Sequence, residues 1–176
     1  MTVLTIVTYP DPVLRVRCPE VEVFDDSLAR LVDDMVETMH AAPGVGLAAP
    51  QVAVEKRVAV VDTSVGKDPD ALLVLVNPEI VERSGLEADT EGCLSIPGYT
   101  EKVNRPFTIR LVAQDVHGER FELETEEFEA RAICHEIDHL NGVLFVDHLR
   151  GLKRDRARRF LRKLSRSSKE QQTVDA

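Results

Sequence analysis

No apolar run in this sequence approaches the roughly twenty residues that a membrane-spanning helix requires. The opening residues, Met1-Thr2-Val3-Leu4-Thr5-Ile6-Val7, lack the basic-then-apolar order of an export signal and read as an early strand. Membrane and secreted classes are set aside on these grounds. The chain is expected in a cytoplasm, and in a bacterium sooner than an organelle because no transit segment precedes the domain. Cysteine is scarce: Cys18, Cys93 and Cys134 are too few, and odd in number, for a disulfide framework, which leaves a thiolate available as a ligand. Basic residues are in deficit, 22 against 31 acidic ones, and the net charge of −9 argues against nucleic acid as the partner of the body of the protein. No repeat or linker divides the 176 residues. One domain over residues 1–166 is expected, with a polar, flexible tail over 167–176.

The charge is unevenly placed. Between Leu152 and Arg166 stand eight of the basic residues and a single acid, Asp155. There Ala157, Phe160, Leu161 and Leu164 fall on one helical face and the cations on the other, so residues 152–166 read as a basic C-terminal helix. An earlier helix is expected from Ser27 as N-cap, with its stripe at Leu28, Leu31, Val32, Met35, Val36 and Met39 and its stop before Pro43-Gly44. Lys56–Asp62 and Leu72–Asn77 have the aliphatic runs and turn-residue borders of strands. Pro106–Val116 and Arg120–Leu123 flank His117-Gly118 as a hairpin with a solvated tip. Thr125 is expected to cap a helix that ends at Asn141-Gly142. Ala130, Ile133, Ile137 and Leu140 occupy one face of it, and Phe128, Ala132, His135 and His139 another. A helix occupied on both faces is buried.

That helix carries His135-Glu136-Ile137-Asp138-His139. Two imidazoles one turn apart share a face and can ligate one metal ion, with a third protein ligand and a fourth position left open for water. Cys93, in Glu91-Gly92-Cys93-Leu94-Ser95, can supply the third. Zinc, iron and cobalt all accept two imidazoles and a thiolate. Glu136 lies between the two histidines and can face the open position as a general base. Cys134 points about 100° away from His135 and reads as a core thiol. Glu91, two residues from a thiolate, needs a compensating cation, for which Arg105 is the candidate. In Gly44-Val45-Gly46-Leu47-Ala48-Ala49-Pro50-Gln51, small residues let backbone approach a ligand or a strand, although a GxG segment alone is more often a turn than a binding loop. Gln51 can donate to a developing oxyanion, with the Leu94 N–H as a second donor.

In order and spacing, Gly44–Gln51, Glu91–Ser95 and His135–His139 resemble three motifs of the bacterial peptide deformylases: a GxGxAAxQ loop, an EGCLS segment and an HExDH helix. Pro10-Asp11-Pro12-Val13-Leu14-Arg15 resembles the usual start of that family, and the likeness runs from residue 5 to 165. The resemblance implies an α+β fold, mostly antiparallel sheets around a central HExxH helix, closed by a C-terminal helix. It implies Cys93, His135 and His139 as metal ligands, Glu136 as acid and base, and Gln51 with the Leu94 N–H as oxyanion donors. Val45, Gly46 and Gly92 would line the peptide groove, and Phe128 and Ala132 the methionine pocket. Arg131 and Thr100 depart from some relatives at substrate contacts. The implied reaction is hydrolysis of the N-formyl group from the initiator methionine of new polypeptides, with release of formate. The implied ion is Fe2+, for which Zn2+, Ni2+ or Co2+ can substitute. A ribosome partner for the basic helix and the absence of a membrane partner complete the expectation. A zinc endopeptidase is the competing enzyme class, but those enzymes usually complete the site with a downstream His or Glu. A non-catalytic RNA-binding protein using 152–166 is the other alternative.

Overall fold

Five consecutive buried residues, Val58–Asp62, form a strand covered on both faces and mark the centre of the molecule. The structure is a computed structural model that describes residues 2–174, with side chains through Ser167. Its strands are β1 (Gly46–Ala48), β2 (Val58–Asp62), β3 (Leu72–Ser84), β4 (Glu87–Cys93), β5 (Ile96–Arg105), β6 (Thr108–Gln114) and β7 (Arg120–Glu126). Its α-helices are α1 (Asp26–Ala41), α2 (Glu127–Leu140) and α3 (Gly151–Val174). Strands β1-β2-β3-β6-β7 form one antiparallel sheet in that order, and β4 with β5 forms a separate two-stranded ribbon.

Alternation along β2 sorts its side chains between two layers. Val58 and Val60 pack with Leu28, Val32, Met35 and Met39 of α1, whereas Val61 joins Ala130, Ile133 and Ile137 of α2. Helix α2 is thus buried along nearly its whole length, as its two occupied faces require. A third cluster joins Leu14, Ile96, Val103 and Phe145 to Ala157 and Leu161 of α3, and Phe160 of α3 packs on Tyr99 of β5 with ring centroids 5.0 Å apart.

Several boundaries differ from the sequence reading. Residues 2–7 form no strand, although Leu4 and Val7 are anchored through backbone N–H groups to Thr38 Oγ1 and the Gln51 carbonyl. Asp25, not Ser27, caps α1, and its carboxylate accepts from the N–H groups of Ser27 and Leu28. Thr125 does not cap α2. Strand β7 runs directly into the helix, Glu127 donates its N–H to the Phe107 carbonyl, and the Thr125 hydroxyl instead donates to Glu129. Asn141 and Gly142 do end α2. Gly142 has φ +71°, and a Cβ there would lie 2.5 Å from the Arg15 carbonyl oxygen, so glycine is required twice over. Strand β3 passes through Pro78 because a register shift lets the proline sit outside the ladder. After Arg166 the helix continues to Val174. The added stretch holds neither Gly nor Pro, and each residue extends an existing ladder by one bond. Of the expected tail, Asp175 and Ala176 lie outside the described residues.

Candidate active site

Three segments meet at the site: the Gly44–Gln51 loop with β1, the tip of the β4–β5 ribbon, and α2 between Phe128 and Glu136. They enclose a cavity of about 500 Å³. Val45, Gly46, Gly92, Phe128 and Ala132 all line it, as do Thr100, Cys93, His135 and Glu136. Phe128 is half exposed at its edge, whereas Ala132 is buried.

At the cavity wall, Cys93 Sγ lies 3.2 Å from His139 Nε2, and one donor atom from each of Cys93, His135 and His139 falls within 4.8 Å of the others. Positions 135 and 139 share a helical face, so the helix alone brings the rings together, with centroids 5.0 Å apart. Cys93 arrives from the other side on the ribbon. His135 Nδ1 is held 3.1 Å from Glu91 Oε2, which turns Nε2 toward Cys93. A soft thiolate and two imidazoles at this separation suit a tetrahedral divalent ion.

Glu136 is buried, and its Oε2 has no hydrogen-bond partner among the described residues. Burial pushes its carboxyl up to about 7, within the range where it can both take and return a proton near neutral pH. A Cβ at Gly46 would sit 2.3 Å from Glu136 Oε1, so only glycine leaves the carboxylate room. Gln51, also buried, accepts the Ala48 N–H at its Oε1 and points Nε2 at Ser95 Oγ (3.3 Å) and Cys93 Sγ (3.7 Å). Its amide N–H groups therefore face the site, next to Leu94 at the cavity wall. Burial raises the Cys134 thiol to about 11, which suits an inert core residue.

Arg105 grips both oxygens of Glu91, at 2.8 and 2.9 Å. Burial alone would raise the Glu91 carboxyl, but hydrogen bonds from Arg105 and His135 outweigh it and hold the group at about 2. The sequence assigned neither Asp138 nor Arg131 to this network. Asp138 accepts from Arg105 at 2.5 Å and lies 2.6 Å from His148 Nε2. Arg131, expected at a substrate contact, lines the cavity, but its guanidinium is buried and paired with Glu91 at 2.8 Å. The signal was present: 131, 135 and 139 fall on one helical stripe, and an arginine on a buried face requires a buried anion.

A helix-borne His pair, a cysteine and a buried carboxylate around a cleft define the class of metal-type hydrolase sites. Residues 3–155 match the family model described as Polypeptide deformylase. The peptide deformylase of Acidobacterium capsulatum is 48% identical over 95% of this chain and 98% of its own length. That of Azotobacter vinelandii is 51% identical over 94% and 98%. Among solved structures, a peptide deformylase from Legionella pneumophila superposes with TM-score 0.87 at 45% identity, covering 95% of this chain and 98% of that one. Peptide deformylase 1B of Arabidopsis thaliana gives 0.91 at 38%, covering 96% and 93%. The chain belongs to the polypeptide deformylase family. It is a hydrolase that removes the N-formyl group from newly made polypeptides.

Proposed function

We propose that Cys93 Sγ and the Nε2 atoms of His135 and His139 hold one divalent ion, and that this centre with Glu136 hydrolyses the formyl amide of formyl-Met peptides. The convergence of the three donor atoms beside an unpaired buried carboxylate carries the reading. Fe2+ is the ion we assign, with Zn2+, Ni2+ or Co2+ as substitutes that the same donor set accepts. Once bound, the ion would supply a Lewis acid beside Glu136. Glu136 accepts the proton of the attacking water and delivers it to the departing amine, so that formate and a free N-terminus leave. The Gln51 amide and the Leu94 N–H donate to the carbonyl oxygen as negative charge develops on it. Val45, Gly46 and Gly92 border the peptide groove, and Phe128 and Ala132 border the methionine side chain. Arg105 and Glu91 keep His135 in the orientation that presents Nε2. Residues 1–166 act as one catalytic unit.

Protein loaded anaerobically with Fe2+ is expected to release one formate per formyl-Met peptide and to leave acetylated peptides intact. Internal cleavage of the acetylated peptides would favour the endopeptidase reading instead.

We assign the basic face of α3 to ribosome docking and the protein to a bacterial cytoplasm. In support, formylated chains emerge at the ribosome and a cationic face is drawn to RNA. The relatives named above from Acidobacterium and Azotobacter are bacterial, and no helix among the described residues is long and apolar enough to cross a membrane. Deleting α3 would also strip Ala157, Phe160 and Leu161 from the core, so charge reversal is the cleaner test. Arg158, Arg159 and Arg162 are exposed. Changing all three to Glu is expected to abolish ribosome cosedimentation at low salt and to leave turnover of a short formyl-Met peptide within about twofold of wild type. Cosedimentation equal to wild type would remove the docking role.

A further inference from the structure

The donor atoms of the candidate metal centre come from two separately built bodies. His135 and His139 ride on α2, which is seated on the five-stranded sheet through Ala130, Ile133 and Ile137. Cys93 is the last residue of β4, at a register shift in a ribbon that shares no ladder with that sheet among the described residues. The distance from Sγ to the imidazoles therefore depends on what fastens the ribbon to α2.

Glu91 on His135 and Arg105 on Asp138 are two such ties, and Arg131 adds the one that reaches both strands from α2. From one turn before His135, its guanidinium reaches both strands of the ribbon. Nη2 donates to the Glu87 carbonyl of β4 at 2.9 Å, and Nη1 to the Val103 carbonyl of β5 at 2.9 Å, with a longer contact to Asp89 at 3.4 Å. Nη1 also meets Glu91 Oε1 at 2.8 Å, and the other oxygen of that carboxylate holds His135 Nδ1. The group is 3% exposed, so these bonds form where water does not compete. Its charge is countered by Glu91, which also pairs with Arg105, and Arg105 in turn meets Asp138. The planar fork is what allows one side chain to serve two strands and a carboxylate together. An ammonium has no such reach.

We propose that Arg131 is a positioning residue that locks the Cys93 ribbon in register with α2 and so sets how tightly the three donors hold a metal ion. The inference rests on the ligand assignment given under Proposed function.

The test starts from protein loaded with cobalt(II), whose thiolate-to-metal absorption reports Cys93, challenged with increasing chelator. If the wild type shows no thiolate band, it is the ligand assignment that fails. With the band present in wild type, Arg131→Met and Arg131→Lys are each expected to lose cobalt at about tenfold lower chelator or less, with a weaker band. Lysine should not rescue, because the geometry and not the charge is lost. Wild-type cobalt retention in either variant overturns the proposal, including the case in which only the KM for peptide rises, which would make Arg131 a pocket residue. Failure of both variants to fold in the presence of cobalt also overturns it, in favour of a role in folding alone.

Discussion

Glu136→Gln is expected to lower turnover of a formyl-Met peptide by about a hundredfold or more while metal content stays at the wild-type level. The amide matches the carboxylate in shape but cannot take a proton. It also removes no donor from the group formed by Cys93, His135 and His139. The carboxylate suits the task for a reason visible around it. Its Oε2 is buried without a partner, and burial has moved the group to about 7, so neither of its protonation states is strongly preferred near neutral pH. Gly46→Ala gives an independent reading of the same atom. A Cβ placed 2.3 Å from Oε1 must displace the carboxylate, and a shift of that order is expected to reduce kcat by about ten- to a hundredfold, again with normal metal content. Steady-state kinetics beside metal analysis separates these outcomes from loss of the ion. Retained turnover in Glu136→Gln with retained metal would sink the acid and base role.

Cys93→Ser is expected to act on the opposite quantity. A serine hydroxyl is neutral at pH 7 and harder than a thiolate, so the site loses both a charge and a soft ligand. Losing a group that merely orients a ligand costs about 10- to 100-fold in metal affinity. Losing the charged ligand itself is expected to exceed that, and activity should fall in step with occupancy. Equilibrium dialysis against graded chelator measures the first, and formate release from the dialysed samples the second. Full occupancy with normal turnover would remove Cys93 from the metal centre. Gln51 Nε2 approaches Cys93 Sγ at 3.7 Å, so a small direct effect on kcat is also expected in whatever fraction remains loaded.

Helical periodicity determined a good part of this protein without any tertiary information. A period of 3.6 puts His135 and His139 on one face of α2, and it explains why Ala130, Ile133 and Ile137 oppose them in the core. The aliphatic run of β2 and the turn residues at Asp115–Glu119 likewise follow from local chemistry. Charge alone was enough to pair Glu91 with Arg105, since a carboxylate two residues from a thiolate needs a cation. Other features were decided only when the chain closed on itself. The β4–β5 ribbon buries one face, but Glu91 and Arg105 stand on it beside Val103, and Pro97 and Gly98 interrupt the run, so no apolar alternation marks its strands in the sequence. Strand β3 crosses Pro78 because a bulge is available opposite β6. The start of α2 is set by a carbonyl from Phe107, far away in the chain, and not by its own Thr125. Above all, the distance between Cys93 and the two histidines is a property of how a ribbon sits on a helix. Local propensity cannot specify it. Buried charges satisfied from both sides, Arg105 and Arg131 about Glu91, do so because an unpaired ion in the interior would cost more than any alternative packing could recover.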